Sequence, residues 1–381
     1  RSKNVVSTIG MCFIVIGIVS VQWVLYGYSL AFGPVTEGAH NFVGDFSYAL
    51  LNGVSHEAPL RVGDSWMSIP HQTFMIFQAM FAIITPALIV GGLVDRIKFS
   101  AFVIFIALWA TFVYDPVAHW VWGGGFLMDL GALDYAGGTV VHITSGWSAL
   151  AGALILGRRI GYGKVPMESH NVPMVVLGAS ILWFGWFGFN AGSGLAADGR
   201  DTSAFVVTNT ATAMASLAWV FMSWAHTGKP SIVGAASGAV AGLVAITPAS
   251  GFVGVMGAII IGLAAGILCY AAVVFKNRRR WDDALDVWGV HGMGGTVGAI
   301  LTGVLANEHI GGVPGGWEGN YMQIAINSLG AAVSIAYAFG ITLLILKVMD
   351  LVWPGGIRAT PKEEEIGLDI TQHGEKAYTT T

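Results

Sequence analysis

The chain has 381 residues, of which 10% are charged and 55% hydrophobic, with a net charge of −4 and a mean hydropathy of +0.68. A soluble chain of this length covers its surface with far more charge, so an ordinary globular domain is excluded, and no nucleic-acid partner is expected. Cys12 and Cys269 both fall inside apolar runs, which leaves neither a disulfide framework nor a cysteine metal site.

Crossing a hydrocarbon core takes roughly 20 residues. By that measure ten apolar segments are predicted, at about 4–32, 68–94, 99–122, 138–157, 172–191, 203–226, 231–247, 252–275, 284–306 and 321–350. Short polar loops join them, and a polar tail with an acidic run, Glu363 to Glu365, follows from Leu351. The fold class is therefore an all-α polytopic membrane protein. No N-terminal signal peptide is visible, since the chain opens on Arg1-Ser2-Lys3-Asn4.

Loop charge sets orientation. Arg1, Lys3, Arg96, Lys98, Arg158, Arg159, Lys164, Lys229, Lys276 and Arg278 to Arg280 occupy alternate connections, while the opposite set holds only Arg61 and Arg200. The asymmetry predicts ten spans with the first residue and the tail both cytoplasmic. Gly234, Gly238 and Gly242, and the pair Gly262 and Gly266, carry the small-residue spacing that lets helices approach closely.

Ionisable side chains inside a span are costly, and most face a cavity or a partner. Asp115 and His119 lie four apart on one helical face and are expected to satisfy each other, and His226 is expected at an interface. His142 and His291 differ, because their surroundings match: T-V-V-H-x-x-x-G and W-G-V-H-x-x-x-G, with Gly146 and Gly295 each four residues on. Five spans separate the two helices, an odd offset, which makes them antiparallel and points to inverted repeats with a site near the midplane.

Aromatics crowd "FQAMF" (77–81), "HWVWGGG" (119–125) and "LWFGWFGFNAGSG" (182–194). An interfacial belt is the ordinary explanation. The glycine-rich flanks and the hydroxyl of Ser193 suggest instead a trap for a small hydrated cation. Apolar walls and neutral imidazoles further in favour a small, uncharged, hydrogen-bonding molecule.

On "DYAGGTVVHITSG", "WFGFNAGSG", "SGAVAGLVAITPASG", "DVWGVHGMGGTVG" and the tail "EEEIGLDITQHGEKAY", the chain resembles the ammonium transporters of the Amt/Mep/Rh family, on the Amt side, from residue 1 to its end. The resemblance implies a homotrimer of eleven-helix subunits in the plasma (inner) membrane, each with its own pore and two inverted five-helix repeats. Here those would be about 1–157 and 172–306, then a last long helix at about 321–350 and a cytoplasmic regulatory tail, 351–381. Family members begin with one further helix, ending just before the stretch that reads "RSKN" here, so this chain is expected to carry the second to eleventh.

By the same resemblance, Trp122 and Ser193 form the outer cation-recruitment site, with Phe81, Phe189 and Trp186 beside it. Phe77 and Phe81 flank the "FQAMF" motif, Phe81 resembles the outer gate, and His142 and His291 resemble the twin-histidine pair of the pore. Asp134 matches an acidic residue that supports the site, and helix capping is the expectation preferred for it over direct binding. The expected activity is transport of ammonium or ammonia, with methylammonium as an analogue, and neither an enzyme activity, a cofactor nor a metal. In the tail, Asp369, His373 and Gly374 are the signature positions for coupling to a PII-type regulatory protein. Two alternatives stand beside transport: an ammonium sensor on the same fold, weighed down by the lack of a signalling domain in these residues, and a bis-histidine haem protein of electron transfer.

Overall fold

The structure is a computed structural model and describes residues 1–34, 42–62 and 65–378. It is a helical bundle, as expected. Its long helices are α1 (Ser2–Phe32), α2 (His71–Leu93), α3 (Phe99–Asp129), α4 (Gly138–Leu156), α5 (Val172–Gly194), α6 (Gly199–Thr227), α8 (Val255–Arg279) and α10 (Tyr321–Val352), each long and apolar enough to cross a bilayer.

The remaining two of the ten expected spans are shorter. Helix α7 is Ile232–Ile246, 15 residues or about 22 Å. Helix α9 is a π-helical turn, Trp288–Gly292, continued by the α-helix Met293–Leu305. Both lie largely buried among other helices, so protein rather than lipid surrounds them and their length need not match the bilayer. Glycine makes the packing possible: a Cβ at Gly238 or Gly242 would collide with the α6 backbone at Ala215 or Ala211.

Helix α4 sits at the centre of the bundle, with 83% of its apolar window buried, against 6% for α5. The outer face of α5 therefore presents Met174, Leu177, Ile181 and Phe184 outwards, a surface suited to hydrocarbon rather than water.

One element was not legible in the sequence. An antiparallel hairpin, β1 (Pro59–Val62) and β2 (Ser65–Pro70), precedes α2, with Pro59 opposite Pro70. The apolar run expected from residue 68 becomes helical only at His71. Pro70 is extended (φ −55°, ψ 147°), and a proline there also disfavours helix at the residue before it.

The helix ends beside the basic loops are tied by ion pairs. Arg96, fully buried, lies 3.1 Å from Asp282, and Arg159 reaches both Asp282 (2.7 Å) and Asp95 (3.3 Å). Burial alone would raise the Asp282 carboxyl, but its hydrogen bonds from Arg159 and the charge of Arg96 hold it below the ordinary range.

The tail does not float in solvent. Its short helix α11 (Pro361–Ile366) opens on a reciprocal Thr360–Glu363 capping box. Asp369 Oδ1 accepts from Ser7 N (2.8 Å), Leu368 N donates to Asn4 Oδ1 (2.8 Å), and Phe99 N donates to Gln372 Oε1 (2.7 Å). The His373 ring meets Phe99 edge-on at 4.8 Å, and Gly374 closes the last turn at φ 69°. These contacts are to the chain's own α1 and α3.

Candidate functional site

Two carboxylates shape the turns that carry the histidines. Asp134 accepts four backbone N–H bonds at the start of α4: Gly137 (2.9 Å) and Gly138 (2.7 Å) on Oδ1, Thr139 (2.8 Å) and Val140 (3.2 Å) on Oδ2. It is a helix cap, satisfying donors that a helix start leaves unpaired. Burial pushes its carboxyl up, against the pull of those four donors. Asp283 accepts from Trp288 N (2.7 Å) at the start of α9. Each acid lies eight residues upstream of its histidine: Asp134 opens the first histidine motif, whereas Asp283 stands three residues before the second.

His142 and His291 both ride on π-helical turns, Gly138–Ile143 and Trp288–Gly292. Such turns are uncommon and recur at functional positions. They bring the two rings together: His291 Nδ1 and His142 Nδ1 are 3.2 Å apart. A hydrogen bond between like nitrogens needs one protonated and one bare Nδ1, so the two rings hold complementary tautomers. His142 Nε2 has no hydrogen-bond partner among the described residues.

The matched H-x-x-x-G spacing now has a mechanical reason. A Cβ at Gly146 would overlap the backbone of Gly292, next to His291. A Cβ at Gly295 would fall 2.8 Å from the Gly138 carbonyl and 3.0 Å from His142 Cβ. Each glycine makes room for the helix that carries the other histidine.

Aromatic rings lead from this pair in an unbroken series. His142 stacks on Trp186 (5.3 Å, 18°) and Phe189 (5.9 Å, 20°). Phe189 meets Phe81 at 4.5 Å, and Phe81 meets both Phe77 (4.9 Å) and Trp122 (5.7 Å). Trp122 is pinned by its indole N–H to the Asp134 carbonyl (2.8 Å), and Ser193 donates to the Phe189 carbonyl (2.8 Å). All eight residues picked out for the outer site and the pore thus join one constellation. His291 also lines a cavity of about 470 Å³, together with Gly91, Leu182, Val240, Asp286 and Val290.

Other polar residues support the series from behind. Trp186 Nε1 donates to Thr247 Oγ1 (2.9 Å), and Asn190 Nδ2 donates to Thr208 Oγ1 (2.9 Å). The expected Asp115–His119 pairing is not formed. Gln22 Nε2 donates to Asp115 (2.6 Å) and His119 Nδ1 lies 3.0 Å from the Ala31 carbonyl, so both side chains reach to α1. The haem alternative fails on distance: ring nitrogens at 3.2 Å leave no room for an iron and its porphyrin between them. His226 is exposed, its Nδ1 at 2.6 Å from the Tyr270 hydroxyl.

The model of the Ammonium Transporter Family matches residues 1–378. The chain belongs to that family. It is 50% identical to "Ammonium transporter" of Aquifex aeolicus over 380 residues, covering 99% of this chain and 86% of that protein. Among solved structures it is similar to Saccharomyces cerevisiae Mep2, with a TM-score of 0.89 and 37% identity over 100% of this chain and 86% of that one. It is also similar to a "Sensor Amt Protein", with a TM-score of 0.86 and 29% identity over 98% of this chain and 91% of that one. Membership and the helical bundle together make it a multi-pass membrane protein.

Proposed function

We propose that this family member moves ammonium across the membrane by capturing the cation outside and passing ammonia through the histidine pore. The observation that carries the reading is the ring series ending on the His142–His291 hydrogen bond. Trp122 offers an indole face and Ser193 a hydroxyl to the hydrated cation. Passing Phe81, which is buried, strips its water; a bare charge is then far costlier than a neutral molecule, so the proton is left behind. Ammonia can accept from one imidazole and donate to the other, and then reaches the cavity beside His291 and regains a proton.

The chain is arranged on this reading as inverted repeats at about 1–157 and 172–306, with α10 as the last helix and 351–381 as a regulatory tail. The reciprocal packing of Gly146 and Gly295 supports that symmetry. Positive loops place the first residue and the tail in the cytoplasm of a plasma or inner membrane. Assembly as a homotrimer and docking of a PII-type protein near Asp369, His373 and Gly374 complete the reading. The likeness to a sensor of the same fold favours a second function, reporting ammonium, which separates from transport by whether net uptake occurs.

The test is methylammonium uptake into proteoliposomes. His142→Ala or His291→Ala is expected to abolish uptake or its selectivity, and Trp122→Leu to raise the half-saturation concentration. Wild-type uptake and selectivity in both histidine variants would refute the pore.

A further inference from the structure

Trp122 and Ser193 belong to different parts of the bundle, α3 and the last turn of α5, and a capture site made from both needs them held at a set spacing. A chain of contacts links them. Trp122 is bonded to the Asp134 carbonyl, and the next residue, Tyr135, is anchored by its own N–H to the Pro248 carbonyl (3.1 Å). The Tyr135 hydroxyl donates to Asp201 Oδ1 (2.9 Å). Asp201, buried in the first turn of α6, presses its carboxylate on the α-carbon of Gly194, where a Cβ would collide with it and lie 2.6 Å from the Tyr135 hydroxyl. Gly194 follows Ser193 directly.

The Tyr135 ring is itself wedged in place. A Cβ at Gly251 would overlap it, and the Arg200 guanidinium lies 4.9 Å from the centres of both Tyr135 and Phe252. Arg200 Nε also donates to the Gly251 carbonyl (3.0 Å). A rigid phenol between two fixed backbones transmits position.

We propose that Tyr135 and Asp201 form a strut that sets the separation of Trp122 and Ser193, and so governs capture of the cation rather than its passage. They are positioning residues: they act through the two side chains that meet the cation. This rests on the capture reading above. Asp201 Oδ2 has no hydrogen-bond partner among the described residues, so the strut uses one oxygen of the carboxylate and does not require its charge.

The charge-independence makes the proposal testable with methylammonium uptake by the full chain in proteoliposomes. Tyr135→Phe and Asp201→Ala each remove the bond and are expected to raise the half-saturation concentration about three- to ten-fold. Maximal uptake per folded molecule should stay within about two-fold, because passage beyond Phe81 is untouched. Asp201→Asn keeps an acceptor for the phenol and should remain near wild type. The double variant Tyr135→Phe/Asp201→Ala should be no worse than the worse single one. Half-saturation does not depend on how much protein folds, which guards the reading against loss of yield. Should the two strut variants bind like wild type while Trp122→Leu binds more weakly, the strut is refuted and capture survives. No effect even of Trp122→Leu removes the capture site and the strut with it. Asp201→Asn as weak as Asp201→Ala would assign the effect to charge and overturn the strut.

Discussion

Gly146→Ala is the smallest change that tests how the histidine pair is held. The added methyl would lie inside the van der Waals envelope of Gly292 N and Cα, both backbone atoms that cannot rotate away. Carbon contacts settle near 3.5–4.0 Å, so α4 and α9 would have to part by more than about 1 Å. The His142–His291 bond is 3.2 Å long and sits on those two helices, so the same displacement takes it beyond hydrogen-bond reach. Overpacking of this kind costs about 1–3 kcal/mol. Stranding two buried imidazoles adds about 1–3 kcal/mol more. Gly295→Ala meets Gly138 O at 2.8 Å and His142 Cβ at 3.0 Å, a milder conflict needing roughly half that displacement. Gly185 on the outer face of α5 has nothing within 4 Å of a Cβ, and Gly185→Ala should be neutral or slightly stabilising. Thermal unfolding in detergent and methylammonium uptake would give the order, with Gly146→Ala worst, then Gly295→Ala, then Gly185→Ala. A Gly146→Ala protein with wild-type stability and uptake would refute the close-approach argument.

The carboxylates upstream of the histidines make two further predictions. Asp134→Ala leaves four buried N–H groups without their acceptor and should cost about 2–5 kcal/mol, with Asp134→Asn recovering part; thermal unfolding of both variants checks this. Asp283 is pushed up to about 6, chiefly by burial, with Lys276 opposing. Its folded value exceeds the unfolded one of about 3.9. The stability it contributes is therefore present below that value and lost as pH rises through about 6, leaving the ionised form about 2–3 kcal/mol costlier at pH 7.5. Asp283→Asn keeps an acceptor for Trp288 N and should unfold at a higher temperature than wild type at pH 7.5, the gain shrinking below pH 4. Equal pH slopes for the two proteins would count against the assignment.

Much of this molecule was legible because membranes impose one-dimensional rules. Charge scarcity, apolar length and alternating basic loops are properties of composition along the chain, so the helical bundle and its ten segments followed without any contact being known. Two H-x-x-x-G motifs five spans apart could be recognised as partners for the same reason, since a repeated local need leaves a repeated local pattern. The hairpin at Pro59–Pro70 escaped because a short strand pair between spans has no such signature. Spacing on one helix shows which residues share a face, not which neighbour lies opposite, and Asp115 and His119 each turn to α1 instead of to one another.

What the tertiary structure alone decided is which atoms meet. His142 Nδ1 finds His291 Nδ1 across 149 positions of sequence, Tyr135 finds Asp201 across 66, and Asp369 finds Ser7 across 362. Hydropathy places a residue in the bilayer but is blind to rotation about the helix axis. Rotation and depth are set by close packing, here by glycines that admit a neighbouring backbone and by buried polar groups that must be paired.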